Sequence, residues 1–360
     1  MSIFQARKDP WRVPFALLRP MLPAIVQGGD PENLSPLWSL DFACLEHWRS
    51  LQLTPFLYRE LARRGWGGRT PPPWWSTLRD DYVVALQAAS QEENEIKELL
   101  WALTKAVIIT ILLKGSDLRH RLYQDPAIRP MVDVDFLLAP EEVKRVHPIL
   151  EGLGYRLAHS PIHPPVKFIE RFGYELLYCP PAGKKLLLEP HWEIRASANQ
   201  YRLPYAPLDA AAIKMSYDGI GVRVLCPEHL LIHLCIHMHG DQDKWQEGCT
   251  SLFQILDIVL AVQRLPLDWH RFQEEVARLR CAHPVFLILQ GVHLLTPLPV
   301  PSWVWAFLKS YRPTLEERLL LGLRDSLRFL SRYFPGLYRH YRLWEMATFF
   351  LARLRSFRSS

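Results

Sequence analysis

Residues 112–138 read LLKGSDLRHRLYQDPAIRPMVDVDFLL, and two carboxylates, Asp133 and Asp135, stand one residue apart inside its apolar end VDVDFLL. Burying carboxylates among apolar side chains costs free energy unless a cation or hydrogen bonds compensate. In a β-strand, residues i and i+2 point to the same face, with Cα atoms roughly 6.5 Å apart. We therefore expect Asp133 and Asp135 to project together, while Val132 and the alternate residues after it face the core.

The segment before the acids predicts a strand that turns into a short helix. AVIITILLKG (106–115) is an apolar run long enough for a buried central strand, and DLRHRLYQD (117–125) suits a short helix. Between them, Gly115 lets the backbone approach a phosphate closely, and the amides from Ser116 onwards lie at a helix N-terminus. Lys114 could add positive charge there, although the nucleotide-binding pattern GxxxxGK[ST] is absent.

Hydrophobic periodicity divides the chain into three regions. Residues 1–104 have helical spacing, interrupted by the proline-rich segment RTPPPWW. Residues 105–204 form an α/β core in which helices alternate with the predicted strands MVDVDFLLA, FGYELLYC and KKLLLEPHWEI. Residues 205–360 return to helix and end in a basic tail. The predicted fold class is α+β, a small mixed sheet flanked by N- and C-terminal helical regions.

The composition is that of a soluble globular protein, with 49% hydrophobic and 22% charged residues among 360. The longest strong apolar run, residues 106–113, falls short of the roughly 18 residues of a membrane span. The N-terminal stretch MSIFQARKDPWRVPF lacks the apolar segment of a signal peptide. Six scattered cysteines without a CxxC pair favour a reducing compartment and argue against a thiolate metal site. We therefore expect a cytoplasmic protein without a transmembrane segment.

The net charge of +6 favours anionic ligands such as nucleotides, acidic peptides or nucleic acid, although many proteins without such ligands share it. The tail is strongly basic, because seven arginines follow residue 325 against one acid, Glu345. It could contact nucleic acid, an acidic leader peptide or a membrane surface, or it could be an amphipathic helix with a solvated basic face. Nucleic acid stays open as a partner but is not favoured.

The paired acids suit a divalent metal site. Mg²⁺ prefers oxygen ligands, and two ions roughly 3.5–4 Å apart hold the attacking and leaving oxygens in phosphoryl transfer. A third carboxylate on a neighbouring strand normally completes such a site, and LLLEPHWEI offers Glu189, with Glu193 as the weaker candidate. Alternatively, the two aspartates form a solvated strand face or a buried ion pair with Arg129 or Arg121.

Together these features resemble a known family. A strand, a Gly-Ser turn, a helix, a strand with DxD and a later acid are similar to the nucleotidyltransferase fold of the DNA polymerase β-like superfamily. The longer spacing here resembles its uncharacterised nucleotidyltransferase family. The resemblance covers roughly residues 35–265 and rests on LLKG (112–115), Tyr123, Arg129, DVDFLL (133–138), Gly154-Tyr155, EPHW (189–192), LCIHMHG and LFQILDI.

Two positions depart from the family pattern. Pro190 stands where the family tends to have Leu, and it suggests a strand edge or a bulge because proline cannot donate to a ladder. Ser116 stands where the family tends to have a small apolar residue. The first departure makes the placement of Glu189 the less certain part of the resemblance.

The resemblance implies a nucleotidyltransferase dependent on Mg²⁺ (or Mn²⁺). It would move an NMP from an NTP, ATP by default, to a hydroxyl or phosphate of a peptide, protein or small-molecule acceptor and release pyrophosphate. The implied catalytic and metal-binding residues are Asp133, Asp135 and Glu189. The implied nucleotide-binding residues are Lys114, Gly115, Ser116, Arg129, His191 and His237.

Alternatives stay open for the function and for single residues. The fold could bind a peptide or nucleotide without turnover, or the DxD could hold Mn²⁺ and a sugar nucleotide in a glycosyltransferase. Glu189 and Lys114 could simply end strands, and His191 could be a core histidine. His237 could pair with Asp257 between two helices.

Three histidines of one predicted helix, His229, His233 and His237, recur at four-residue spacing. This spacing invites a zinc hypothesis, but the HExxH pattern of metalloproteases is missing. We therefore do not expect a metal site on this helix.

Overall fold

The protein is described here by a computed structural model that covers residues 43–158, 173–196, 201–240 and 252–312. The predicted basic tail lies outside these ranges. None of the helices within them combines the length and the apolar character that crossing a membrane requires.

A mixed sheet forms the centre of the described chain. Its strands, together with a separate two-stranded ladder made by the sixth and seventh, are β1 (Ile111–Leu112), β2 (Asp133–Leu137), β3 (Arg156–Leu157), β4 (Tyr178–Cys179), β5 (Leu187–His191), β6 (Glu193–Ala196), β7 (Tyr201–Pro204), β8 (Ile213–Tyr217) and β9 (Ile220–Val224). The seven-stranded order is β3-β4-β5-β2-β1-β9-β8. β2 runs parallel to β5, β1 runs parallel to β9, and β1 and β2 are antiparallel. The predicted α+β class with a mixed sheet is therefore confirmed.

Helices pack on both faces of this sheet. They are α1 (Ala43–Ser50), α2 (Thr54–Arg63), α3 (Pro72–Lys105), α4 (Lys114–Leu118), α5 (Val143–Gly152), α6 (Tyr205–Ala211), α7 (Pro227–Gly240), α8 (Leu252–Arg264), α9 (Trp269–Arg278), α10 (Ala282–Leu295) and α11 (Ser302–Ser310). The C-terminal half of α3 and helix α5 form one core with one face of the sheet. Helices α1, α2, α4 and α7 to α11 form a second core with the opposite face.

Side chains of β2 alternate between these two cores, as the period of a strand requires. Val134 and Phe136 are buried in the core beneath α3 and α5, whereas Leu137 belongs to the other core. The expectation that Val132 faces the core is wrong, because the strand begins at Asp133 and Val132 is 65% exposed. The acids therefore point towards the C-terminal helices.

The proline-rich segment RTPPPWW lies between α2 and α3, and its last residues form the first turn of α3, since the first turn of a helix tolerates proline. One predicted feature at the start of the core is corrected. The apolar run 106–113 contributes only Ile111–Leu112 to the sheet. Its first residues instead close the C-terminus of α3: the Ile108 amide donates to the Leu103 carbonyl at 3.0 Å, and Val107 has a positive φ and is 80% exposed.

The sheet extends beyond the predicted end of the core at residue 204. Strands β8 and β9 form a hairpin, and β9 pairs with β1, so residues 213–224 complete the sheet. The turn between them contains Asp218 and Gly219 with φ angles of 49° and 86°. Asp-Gly with positive φ at both positions is the pattern of a tight hairpin turn, so the sequence did contain this signal.

Pro190 lies within the sheet rather than at its edge. It faces Phe136 of β2 in register, and its carbonyl accepts a hydrogen bond of 3.1 Å from the Leu176 amide on the β4 side. Since the bonds to β2 are made by neighbouring residues such as Leu187 and His191, the missing N–H of Pro190 affects only the pairing towards β4. The pairing between β2 and β5 therefore continues past the proline.

Candidate active site

The polar side chains of the site share one face of three adjacent strand segments. Parallel pairing sets Glu189 of β5 directly opposite Asp135 of β2, and Asp133 lies on the same face two residues earlier. His191 follows Glu189 on that face, and an isolated bridge sets Glu175 opposite His191. The structure therefore brings together the three predicted carboxylates and adds one more, Glu175. The alternation of FGYELLYC as a strand was the only sequence signal for Glu175.

His191 connects these carboxylates. Its Nε2 lies 2.9 Å from Asp135 Oδ1 and 3.8 Å from Glu189 Oε2, and its Nδ1 lies 3.2 Å from Glu175 Oε2. One potential ligand atom each from Asp135, Glu189 and His191 lies within 4.8 Å of the other two. His191 is buried, so these interactions occur away from bulk water.

Lys114 places a cation in this cluster. Its Nζ donates to Asp135 Oδ1 at 2.6 Å. The Leu113 amide donates to the Asp135 carbonyl. The next residue, Lys114, has a positive φ of 47°, and this conformation directs its side chain into the site. Lys114 is therefore not the exposed strand-end side chain that was the alternative.

Burial and mutual repulsion perturb the pKa values of the acids. Burial, and then Asp135, raise the pKa of Glu189 to about 9, and the same two causes raise the pKa of Asp133. Burial also acts to raise the pKa of Asp135, but Lys114 and His191 outweigh it, so the Asp135 pKa lies below its ordinary value. A pKa of about 9 means that Glu189 retains its proton at neutral pH, and a cation that binds Glu189 would displace that proton.

The predicted phosphate turn is closely packed. A Cβ at position 115 would lie 2.7 Å from Met131 Cγ, which explains why this position holds glycine. The Ser116 hydroxyl is buried and donates to the Leu113 carbonyl at 2.8 Å, where it stabilises the turn between β1 and α4. Contacts from Gly115 and Ser116 to a nucleotide stay predictions.

Arg129 connects the core to the C-terminal helices. Its Nε and Nη2 donate to the two carboxylate oxygens of Asp257 on α8, at 3.0 and 2.8 Å. The Tyr123 hydroxyl donates to the same carboxylate at 2.6 Å. Arg129 therefore forms a bidentate ion pair with a helix acid, whereas the alternative reading of the sequence had paired it with Asp133 or Asp135.

A family model described as uncharacterised nucleotidyltransferase matches residues 43–297. The chain belongs to this family. The matched residues include every candidate site residue named above. No curated protein matches the chain.

Three solved structures are similar to part of this chain. The antibiotic-resistance factor ANT(2'')-Ia in solution is 16% identical, with a TM-score of 0.38 over 57% of this chain and 98% of that chain. A crystal structure of ANT(2'')-Ia with adenylyl-2''-tobramycin is 16% identical, with a TM-score of 0.36 over 52% of this chain and 97% of that chain. An antigenic nucleotidyltransferase-like protein from Paracoccidioides brasiliensis is 16% identical, with a TM-score of 0.36 over 63% of this chain and 96% of that chain. Scores at this level are too low to transfer a substrate to this chain.

His233 of helix α7 lies close enough to the acids to interact electrostatically with Asp135. His233 is buried, and burial, then His237 and Lys114, lower its pKa, whereas Asp135 raises it. The rings of His233 and His237 have centroids 6.1 Å apart. Sequence reasoning selected His237 and missed His233, whose position one turn earlier on a helix buried on nearly all sides was the available signal.

Two weaker candidates, Glu193 and His229, have partners outside the site. Glu193 pairs with Arg195 and Arg202 within the β6–β7 ladder, so Glu189 is the carboxylate next to the aspartates. His229 Nε2 lies 2.9 Å from Glu275 of α9. The first of the three helix histidines therefore contacts an acid on a neighbouring helix.

Proposed function

We propose that this protein transfers an NMP from an NTP, ATP by default, to a hydroxyl or phosphate of a small-molecule, peptide or protein acceptor and releases pyrophosphate. The observation that carries this proposal is the in-register pair Asp135 and Glu189, with Asp133 on the same face, in a member of a nucleotidyltransferase family. Family membership supports the class of reaction, whereas the acceptor and the base of the nucleotide are part of the proposal.

The donor set fits a divalent metal. Strand register places Asp133, Asp135 and Glu189 on one sheet face, and the Lys114 ammonium lies beside Asp135. Asp133, Asp135 and Glu189 would hold Mg²⁺ or Mn²⁺, which when bound would neutralise charge on the phosphates and orient the attacking and leaving oxygens.

The chain's own residues would then position the reactants. Glu189 is half-buried at the side of the aspartates, where it could complete the metal site or accept the proton of the acceptor hydroxyl. Lys114 would contact the triphosphate, since its ammonium already lies on this face. Helix α7 would exclude water from above the acids, which strengthens every charge interaction in the site. Catalysis would come mainly from positioning and charge neutralisation.

The test is transfer of label from each α-labelled NTP to candidate acceptors in the presence of Mg²⁺ or Mn²⁺, with pyrophosphate release measured in parallel. Asp133→Asn and Asp135→Asn are expected to reduce transfer by at least about 100-fold. Asp80→Asn is the matched control, because this aspartate lies on α3 with its side chain 64% exposed and should leave transfer unchanged.

Two results would count against the proposal. Transfer that persists in both site variants would show that the acids are not catalytic. If the protein binds NTP in a metal-dependent way but releases no pyrophosphate with any acceptor or with water, the result would instead support the alternative that the fold binds a nucleotide without catalysing its transfer.

A further inference from the structure

We infer that Nε2 of His191 is a metal ligand of this site, and that the site therefore selects a first-row transition ion such as Mn²⁺ over Mg²⁺. The inference rests on the proposed function for the presence of a metal. It goes further by adding a nitrogen ligand to the carboxylates and by naming the class of ion.

The distances fit a single ion. Neighbouring ligands of an octahedral ion with bonds of about 2.1 Å lie about 3.0 Å apart, and opposite ligands about 4.2 Å apart. His191 Nε2 lies 2.9 Å from Asp135 Oδ1 and 3.8 Å from Glu189 Oε2. The 2.9 Å distance matches neighbouring ligands and the 3.8 Å distance lies between the two octahedral separations, so side-chain shifts of less than about 1 Å would let one ion contact all three atoms.

The second ring nitrogen has the partner that a metal-binding histidine usually has. Histidine ligands commonly donate their other N–H to a carboxylate, which fixes the ring and its tautomer. Nδ1 of His191 lies 3.2 Å from Glu175 Oε2, and the backbone bridge between these residues holds the two side chains on one face. Glu175 thereby leaves Nε2 directed at Asp135 and Glu189.

Ligand chemistry then decides the ion. Oxygen-only sites suit Mg²⁺, whereas a nitrogen ligand favours first-row transition ions, whose affinities rise in the order Mn²⁺, Fe²⁺, Co²⁺, Ni²⁺, so Mn²⁺ gains the least of these four from the histidine. The structural alternative is an imidazolium that only forms ion pairs with Asp135 and Glu175. In that case His191 would support the fold without distinguishing one ion from another.

Pulsed electron paramagnetic resonance of Mn²⁺ distinguishes these two roles. The full chain, labelled with ¹⁵N-histidine, is loaded with Mn²⁺ and α,β-methylene-ATP. We expect a histidine nitrogen coupling in the wild type that is lost in His191→Gln. The control His270→Gln should retain it, because His270 is exposed on α9. Absence of the coupling in the wild type, its persistence in His191→Gln, or failure of Mn²⁺ to bind would overturn the inference.

Titration with Mn²⁺ and Mg²⁺ separately tests the selectivity. His191→Gln is expected to weaken Mn²⁺ binding by about 10- to 100-fold and Mg²⁺ binding much less, and Glu175→Gln is expected to act in the same direction. Circular dichroism identifies a misfolded variant. In that case the ratio of the two affinities in the wild type decides: a preference for Mn²⁺ supports the inference, and equal affinities contradict it.

The outcomes for this inference and for the proposed function are separable. A histidine coupling without transfer of nucleotide to any acceptor would overturn the proposed function alone. Transfer with no histidine coupling would overturn the inference alone.

Discussion

Replacing Asp257 by Asn is expected to destabilise the protein strongly, because it breaks a buried ion pair without removing the opposite charge. The Asp257 carboxylate is almost fully buried and accepts hydrogen bonds from Arg129 Nε, Arg129 Nη2 and the Tyr123 hydroxyl, at 3.0, 2.8 and 2.6 Å. Asparagine has nearly the same volume but no charge. The Arg129 guanidinium, also largely buried, would lose its counter-ion.

The expected loss is about 3–5 kcal/mol in the free energy of unfolding, the range for removing one partner of a buried pair. The contacts give a similar value: two hydrogen bonds between charged groups contribute roughly 1.5–3 kcal/mol each, and the amide oxygen of Asn retains part of this. The double variant Arg129→Met with Asp257→Leu should lose less than Asp257→Asn alone, because neither charge then stays buried without a partner.

Urea unfolding of the full chain, followed by circular dichroism, measures these differences. Asp80→Asn, exposed on α3, is the control and should change the free energy of unfolding by less than about 0.5 kcal/mol. The reasoning is refuted if Asp257→Asn loses less than about 1 kcal/mol, or if the double variant is less stable than Asp257→Asn.

Three further results are expected. Lys114→Met should lower the melting temperature without added metal, because the charge of Asp135 then has no ammonium beside it. The same variant should show a larger rise in melting temperature on adding Mn²⁺, because the ammonium no longer competes with the ion for Asp135. An unchanged rise would show that Lys114 and the ion do not compete. With a pKa of about 9, Glu189 is protonated at neutral pH and must lose its proton to bind an ion. The affinity for Mn²⁺, measured by calorimetry, should therefore increase by up to about tenfold per pH unit until the pH reaches that pKa. An affinity independent of pH would contradict this expectation. Gly219→Ala should lower the free energy of unfolding in urea by about 1–2 kcal/mol, because φ is 86° at this position. Gly221→Ala in β9 is the control and should not lower it, although an added Cβ meets nothing within 4 Å at either position. Equal losses would show that backbone conformation is not the cause.

The part of the site that sequence could predict depends on a local period. Asp133 and Asp135 share a face because any β-strand alternates, whatever its neighbours are. The resemblance to the family added Glu189, and the register of β5 against β2 places it opposite Asp135. The contact between His191 and Glu175 depends on the pairing of two segments across the sheet, and no local pattern in either segment contains that register.

The errors in the predicted fold have causes of two kinds. The apolar run 106–113 is compatible with a strand or with a helix end, and only the packing of α3 decides that most of it closes the helix. The hairpin 213–224 was missed although the Asp218-Gly219 turn is readable, because the surrounding helical periodicity was extended across it. Avoiding the first error would have required knowledge of the tertiary packing, whereas the sequence alone contained the signal that would have avoided the second.

The burial of Asp135 explains why this carboxylate needs a cation beside it. Asp135 is 1% exposed, so water cannot solvate its charge. Lys114 forms an ion pair with Asp135 and supplies such a cation. An ion that binds Asp135 must take over this role, and the released ammonium then lies on the same face as the triphosphate it is proposed to contact. One flexible side chain can thus stabilise the metal-free site and bind the nucleotide once the metal is in place, because the two roles use the same charge at successive steps.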